Sequence, residues 1–317
     1  VRSPAAAFVF FALLVVPAGA ARAQLDYSDT TPFTRQVRLH LAEWDTDHDG
    51  ALSPSEIDAR ALDPLVTGDA AAALCALKVG LRRAANRPDK SAPVPRIDRA
   101  YLDAYGRWAQ QSRPRRAADR PAAPSLATPA AEGAEAATAP AEEFPDFDRM
   151  YRAGTTRLRR GANGGDIFGP DDPRFERIKQ GATGDCYLLA VLGGLVKRDP
   201  AQVRRMVATQ PDGAVDVTFP SGRAVRLPRM TDTERILYGS GGGEGTRWLT
   251  LIEDAYGRLR NEGLPEEKRK VVASDLIVGG GSPRRTLGAV TGHETGGLTF
   301  PRRGADKPIP TAEEAAR

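Results

Sequence analysis

The chain is poor in the side chains that most chemistry at neutral pH uses. Its 317 residues include only two cysteines, three histidines and three methionines. Two cysteines exclude a disulfide-stapled scaffold and a multi-cysteine zinc site. Three histidines leave few candidates for a general base. An excess of one charge is lacking as well: the net charge is +4, and beyond residue 23 the balance is 43 basic to 41 acidic residues. The basic residues are scattered, with short runs such as 157–160 and no basic stripe interleaved with aromatics, which argues against a nucleic-acid partner. Long apolar runs are also missing. The longest, residues 5–16, is shorter than the roughly 20 residues a membrane span needs, so no stable membrane insertion is expected. What remains, 41% hydrophobic residues in a chain of this length, is enough for one or two cores.

The apolar run follows Arg2 and precedes Pro17-Ala18-Gly19-Ala20-Ala21-Arg22-Ala23. A basic start, a dozen apolar residues and an Ala-x-Ala site predict a signal peptide over 1–23 and export to the periplasm or beyond, with an uncleaved anchor as the alternative. Export would place Cys75 and Cys186 in an oxidising setting. Cys75 lies in Ala73-Leu74-Cys75-Ala76-Leu77 and is expected to be a buried, inert thiol. A Cys75–Cys186 bridge would consume a potential nucleophile and is not expected.

Phe33, Val37, Leu41 and Trp44 recur at helical spacing. They lead into Asp45-Thr46-Asp47-His48-Asp49-Gly50-Ala51-Leu52-Ser53-Pro54-Ser55-Glu56. Asp45, Asp47 and Asp49 alternate so that their carboxylates can converge on one hard cation. Gly50 permits a sharp turn, Ala51 offers a carbonyl, Ser53 a hydroxyl and Glu56 a bidentate carboxylate. Ser53, Pro54 and Glu56 also spell a helix start with a capping box, and Ile57, Leu62 and Leu65 are expected to turn that helix inward. The loop at 45–56 is similar to an EF-hand, which implies calcium (Ca2+) as the ligand. EF-hands pair through the eighth loop residue, here Leu52. The partner is expected within a second, ligand-free hand: a helix with Leu74, Leu77 and Leu81 on one face, a loop over 87–95, and a helix marked by Ile97, Leu102, Tyr105 and Trp108. Ile97 is its candidate pairing residue, and one calcium is expected rather than two. These residues define an α-helical domain over 24–110.

Residues 111–142 are rich in Ala and Pro, without aromatics or periodicity, and are expected to form a disordered linker. A second domain over 143–317 is expected to be α+β. Residues 201–209 read as helix, and 215–219 and 223–227 alternate about Pro220-Ser221-Gly222 as a β-hairpin. The glycine-rich 239–245 lacks the Lys-Ser/Thr ending of a phosphate loop and reads as surface loop. Residues 247–259 form a helix with Trp248, Leu251, Ile252, Ala255 and Leu259 on one face.

The most specific segment is Gln180-Gly181-Ala182-Thr183-Gly184-Asp185-Cys186-Tyr187-Leu188-Leu189-Ala190. An apolar helix begins at Cys186 and is closed by Pro200, so the sulfur sits where unpaired N–H groups favour an anion, as a nucleophilic cysteine requires. Gln180 can present its amide beside the sulfur, and that amide with the Cys186 N–H would form an oxyanion hole. This spelling resembles the active-site segment of the calpain family of papain-like cysteine proteases, with Tyr187 where the family usually has tryptophan. The resemblance implies that Cys186 and Gln180 are catalytic and that the substrate is a protein or peptide. The Trp248 helix with Glu253 and Ala255-Tyr256, Gly279-Gly280-Gly281, and the Thr-Gly at 291–292 match further landmarks of that family, in order.

The pattern stops short of a base. His40 and His48 belong to the metal-loop region. His293 follows Cys186 by 107 residues, whereas papain-like enzymes carry their His and Asn roughly 130–150 residues on; it is a weak candidate. Two expectations follow: a fragment cut before the lobe that carries the His and Asn, or a degenerate protease lobe used as a binding fold. The favoured function is an exported, calcium-binding cysteine endopeptidase, incomplete as it stands. The alternative is a non-catalytic exported calcium-binding module.

Overall fold

A computed structural model describes residues 30–86, 95–118, 144–161, 167–169, 173–238, 246–278 and 280–296, with the side chains of 113–118 left aside. The predicted signal peptide, most of the predicted linker, all but Pro95 of the predicted loop at 87–95, the glycine-rich 239–245, Gly279 and the residues beyond 296 lie outside these. The protein is α+β, dominated by helices, with one two-stranded and one three-stranded sheet among the described residues. No described helix is long and apolar enough to cross a membrane.

Helix α1 (Pro32–Trp44) starts at the Thr31 cap and buries Phe33, Val37, Leu41 and Trp44, the predicted stripe. The loop after it enters strand β1 (Ala51–Leu52) and then α2 (Pro54–Ala61), where Ser53 and Glu56 form the expected capping box. Beyond α2 the expectation fails: Leu65 is 86% exposed, because the helix ends at Ala61 and the chain turns outward. Strand β2 (Ile97–Asp98) pairs antiparallel with β1, and Leu52 faces Ile97, the candidate partner that the EF-hand resemblance suggested. Helix α4 (Arg99–Ala118) follows, so the first eight residues of the predicted linker are helical rather than disordered.

Helix α3 (Gly68–Ala85) buries every residue from Ala71 to Leu81, not one face. Its alanines and Gly80 let neighbours approach closely on all sides. A Cβ on Gly80 would lie 2.3 Å from the ring of Phe147, which belongs to α5 (Phe147–Gly161). Phe147 also stacks on Phe33 at 4.8 Å. Helix α5 follows the predicted linker in sequence but completes the first core in space. Ile236 and Leu237 of α8 (Asp232–Leu237) join that core as well. A boundary drawn from composition at 111–142 therefore cuts the chain but not the core, because apolar burial is set by non-local contact.

The second core is built by α6 (Cys186–Arg198), α7 (Pro200–Met206), strands β3 (Val207–Thr209), β4 (Val215–Thr218) and β5 (Ala224–Leu227), α9 (Trp248–Glu262) and α10 (Pro283–Thr291). The hairpin β4–β5 is the predicted one, with Val217 opposite Val225 and Gly222 at φ +82 in its turn. Residues 207–209 are a strand instead of the predicted helix: β-branched Val207 and Thr209 pair with β4, and tertiary pairing overrides the run from α7. Helix α9 is buried on all sides over its first ten residues, from Trp248 to Gly257. Its close fit is fixed at Gly257, where a Cβ would come 2.7 Å from the carbonyl oxygen of Ala273.

Candidate functional site

Cys186 is the first residue of α6 and is exposed. Tyr187, Leu188, Leu189, Leu192, Leu195 and Val196 are buried, while Cys186, Ala190, Gly194 and Lys197 form one exposed stripe. The helix is thus two-faced rather than wholly buried, because nothing among the described residues covers the face that begins at the sulfur. The loop before it is firmly held. The N–H of Ala182 and the hydroxyl of Thr183 both donate to the carbonyl of Leu237, at 3.0 and 3.1 Å. The guanidinium of Arg82, on α3, donates to the carbonyl of Ala182 at 2.9 Å. Gln180 donates through Nε2 to the carbonyl of Thr183 at 2.8 Å, which fixes the amide and leaves its second N–H uncommitted by that bond. Tyr187 lies against Gly281, where a Cβ would come 2.4 Å from the ring, and its hydroxyl accepts from Arg260 at 2.9 Å. Gly281 is therefore small for a reason local to the cysteine segment.

Beneath Cys186 lies an arrangement the motif alone does not announce. Asp185 and Glu253 are both fully buried. Neither oxygen of Asp185 meets a donor at full hydrogen-bonding geometry. Burial pushes its carboxyl above the usual carboxylate range, partly offset by polar contact with Glu253, its own backbone and Gln180. Two carboxyls sharing one dry site favour retention of a proton. Arg157, reaching in from α5, interacts with Glu253 and donates to the carbonyl of Ile236 at 3.3 Å. Next along α9, Asp254 is also buried, but Tyr238 donates to it at 3.0 Å and Arg258 at 3.0 Å. Glu253 was legible as a landmark of the Trp248 helix, but its burial against Asp185 was not, since the two are 68 positions apart.

His293 lies just past α10, exposed, with its N–H on the hydroxyl of Thr291. Among the described residues no hydrogen bond joins it to Cys186. His40 stacks on Trp44 at 5.1 Å and contacts Glu43, and His48 sits in the loop after α1 with φ +58. Both cysteines are free. Cys75 is enclosed in the first core, and burial pushes its thiol up to about 12, as expected of an inert thiol.

The predicted metal loop is brought together in part. Carboxylate oxygens of Asp45, Asp47 and Asp49 lie within 4.8 Å of one another. Gly50, at φ +86, makes the sharp turn and donates to Asp45 Oδ2 at 2.9 Å; Asp49 donates its N–H to Asp45 Oδ1 at 3.2 Å. Arg96 contacts the outer oxygen of Asp49. Glu56 is not in that group. Its Oε1 accepts from the N–H of Thr46 at 2.6 Å and from the Thr46 hydroxyl at 3.0 Å, and its Oε2 accepts from the N–H and hydroxyl of Ser53, both at 2.8 Å. Burial works to raise the Glu56 carboxyl, but these donors outweigh it and bring it from 4.5 down to about 2. Ser53 and Ala51 likewise bond within the loop, Ser53 to Glu56 and the N–H of Ala51 to Asp49. The donor set is all oxygen and three-fold acidic, which suits a hard divalent cation; Glu56 would exchange its donors to join it.

Set against models of known protein families, curated proteins and solved structures, the chain gives no match.

Proposed function

We propose that the chain is the cysteine-bearing part of an exported, calpain-like endopeptidase with a calcium-binding loop. One observation carries this reading: Cys186 is exposed at the first position of α6, behind a loop whose Gln180 amide is fixed by Thr183. In this reading the Cys186 sulfur adds to a peptide carbonyl, and the Gln180 amide and a backbone N–H stabilise the oxyanion. Loss of the amine, which takes up a proton, leaves a thioester that water hydrolyses. Calcium, when bound, would neutralise the mutual repulsion of Asp45, Asp47 and Asp49, and Ala51, Ser53 and Glu56 are the further candidate ligands.

A peptidyl electrophile that targets thiol proteases tests the cysteine directly. Intact mass should show a single adduct on Cys186, absent in Cys186→Ser and formed about 100-fold more slowly in Gln180→Ala. Equal adduct formation by Gln180→Ala would remove the oxyanion role. Calorimetric titration should give one calcium per chain, lost in Asp45→Asn; a heatless titration would remove the metal. A second reading, a peptide-binding module without turnover, is favoured by His293, which makes no hydrogen bond to Cys186 among the described residues. Peptide binding without the adduct would select it.

A further inference from the structure

A cavity of about 510 Å³ opens between the β4–β5 turn, α9 and α10, within the size range of small-ligand sites. Arg223, Arg260 and Arg285 converge on it from those three elements, with the hydroxyl-bearing Ser221 and Ser282 between them. Leu259 and Ala289 supply apolar wall.

Several arginines elsewhere in this half of the molecule are paired with a carboxylate. Arg205 meets Asp199, Arg226 meets Asp212, Arg235 meets Asp232 and Arg258 meets Asp254. The arginines of the cavity are held more loosely. Arg223 reaches Glu262 only at 3.9 Å, with both side chains largely exposed. Arg260 donates to a neutral hydroxyl, that of Tyr187. Among the described residues no carboxylate lies within ion-pairing distance of Arg260 or Arg285. Three like charges around one concavity repel one another, and guanidinium groups are suited to carboxylate and phosphate by their fork geometry.

We infer that this cavity binds a small organic anion bearing phosphate or carboxylate groups, held by Arg223, Arg260 and Arg285 with an apolar portion against Leu259 and Ala289. The site is distinct from the sulfur of Cys186, though Arg260 joins the two through Tyr187.

The full chain is titrated with pyrophosphate and with citrate at constant ionic strength, by calorimetry and thermal melting, with chloride as the control. Binding of either probe, weakened at least tenfold in Arg223→Gln/Arg285→Gln, is the expected result; the stronger probe identifies the ligand as phosphate- or carboxylate-bearing. Circular dichroism of the double variant, with Arg285→Lys as a charge-preserving companion, separates lost binding from lost fold. Unchanged affinity in a folded double variant overturns the proposal. So does the absence of binding by either probe, or capture of an acidic peptide in preference to both.

Discussion

Glu56 and Asp185 are both carboxyls with under a tenth of their surface exposed, 6% and 0%, and the protein treats them in opposite ways. Glu56 sits at the start of α2, where N–H groups and hydroxyls of Thr46 and Ser53 converge on both its oxygens. Asp185 sits at the start of α6, faces a second buried carboxyl, and meets no well-aligned donor. Both residues precede or open a helix, so the helix end alone does not decide the charge. The number of donors aimed at the oxygens does. The first arrangement favours a charged, loop-closing carboxylate; the second favours a proton held under the candidate nucleophile.

The comparison is broken most strongly by removing a cation from a third acidic cluster. Lys78, buried on α3, bridges Asp58 of α2 and Asp275, the latter at 2.7 Å. Burial raises the carboxyl of Asp58, with Lys78 acting against it. Lys78→Met should cost about 3 kcal/mol in chemical denaturation at pH 7, the low end for a broken buried pair because both aspartates keep some exposure. The deficit should shrink as the pH is lowered and the raised carboxyl of Asp58 protonates. A loss under about 1 kcal/mol would mean that the two acids are as indifferent to a partner as surface charges are.

Next in size is Glu56→Gln, which should cost about 2 kcal/mol at pH 7, since hydrogen bonds to a charged acceptor are the strong ones. The sign follows from the lowered carboxyl. Its contribution is present above 4.5 and is lost as pH falls toward about 2. Denaturation curves of the two proteins should therefore converge at low pH. Parallel curves down to pH 2 would show that Glu56 acts by shape alone.

The smallest effect should come from Asp185→Asn, and with the opposite slope. A raised carboxyl contributes fully below its unfolded value of 3.8 and loses that contribution as pH rises toward its folded value. The wild type should lose stability relative to the variant across that interval, by no more than ~1.4 kcal/mol per pH unit. The variant should be at least as stable as the wild type at pH 7. A wild type that gains on the variant with rising pH would mean that Asp185 is charged and paired.

These cases also mark what a linear reading can reach. The apolar stripe of α1, the Ser53–Glu56 cap and the β4–β5 hairpin rest on residues close in sequence, and the Leu52–Ile97 pairing on the resemblance to an EF-hand; each was legible. The all-round burial of α3 was not, because it depends on α5 and α8 arriving from beyond the predicted linker. Strand β3 was missed because Val207 and Thr209 follow a helix without a turn residue and are claimed by β4. At the candidate site, Cys186 and Gln180 were visible as a motif. Glu253 was visible as a landmark of the Trp248 helix, but its burial against Asp185 was not, since two carboxyls 68 positions apart announce nothing until the fold buries them together. The same limit hid the bond from Arg82 to Ala182, which ties α3 of the first core to the loop that precedes Cys186.

The central claim is that Cys186 is a nucleophile by position, and its most direct test is the alkylation rate of each cysteine in the intact chain. Iodoacetamide at pH 6, followed by peptide mapping, reads both thiols in one sample. Cys186 should be modified at least tenfold faster than a free thiol in an unstructured peptide, while Cys75 should stay unmodified until the protein is unfolded. Modification of Cys186 no faster than the peptide thiol would contradict it, and the exposed cysteine would then be a surface residue at a helix end.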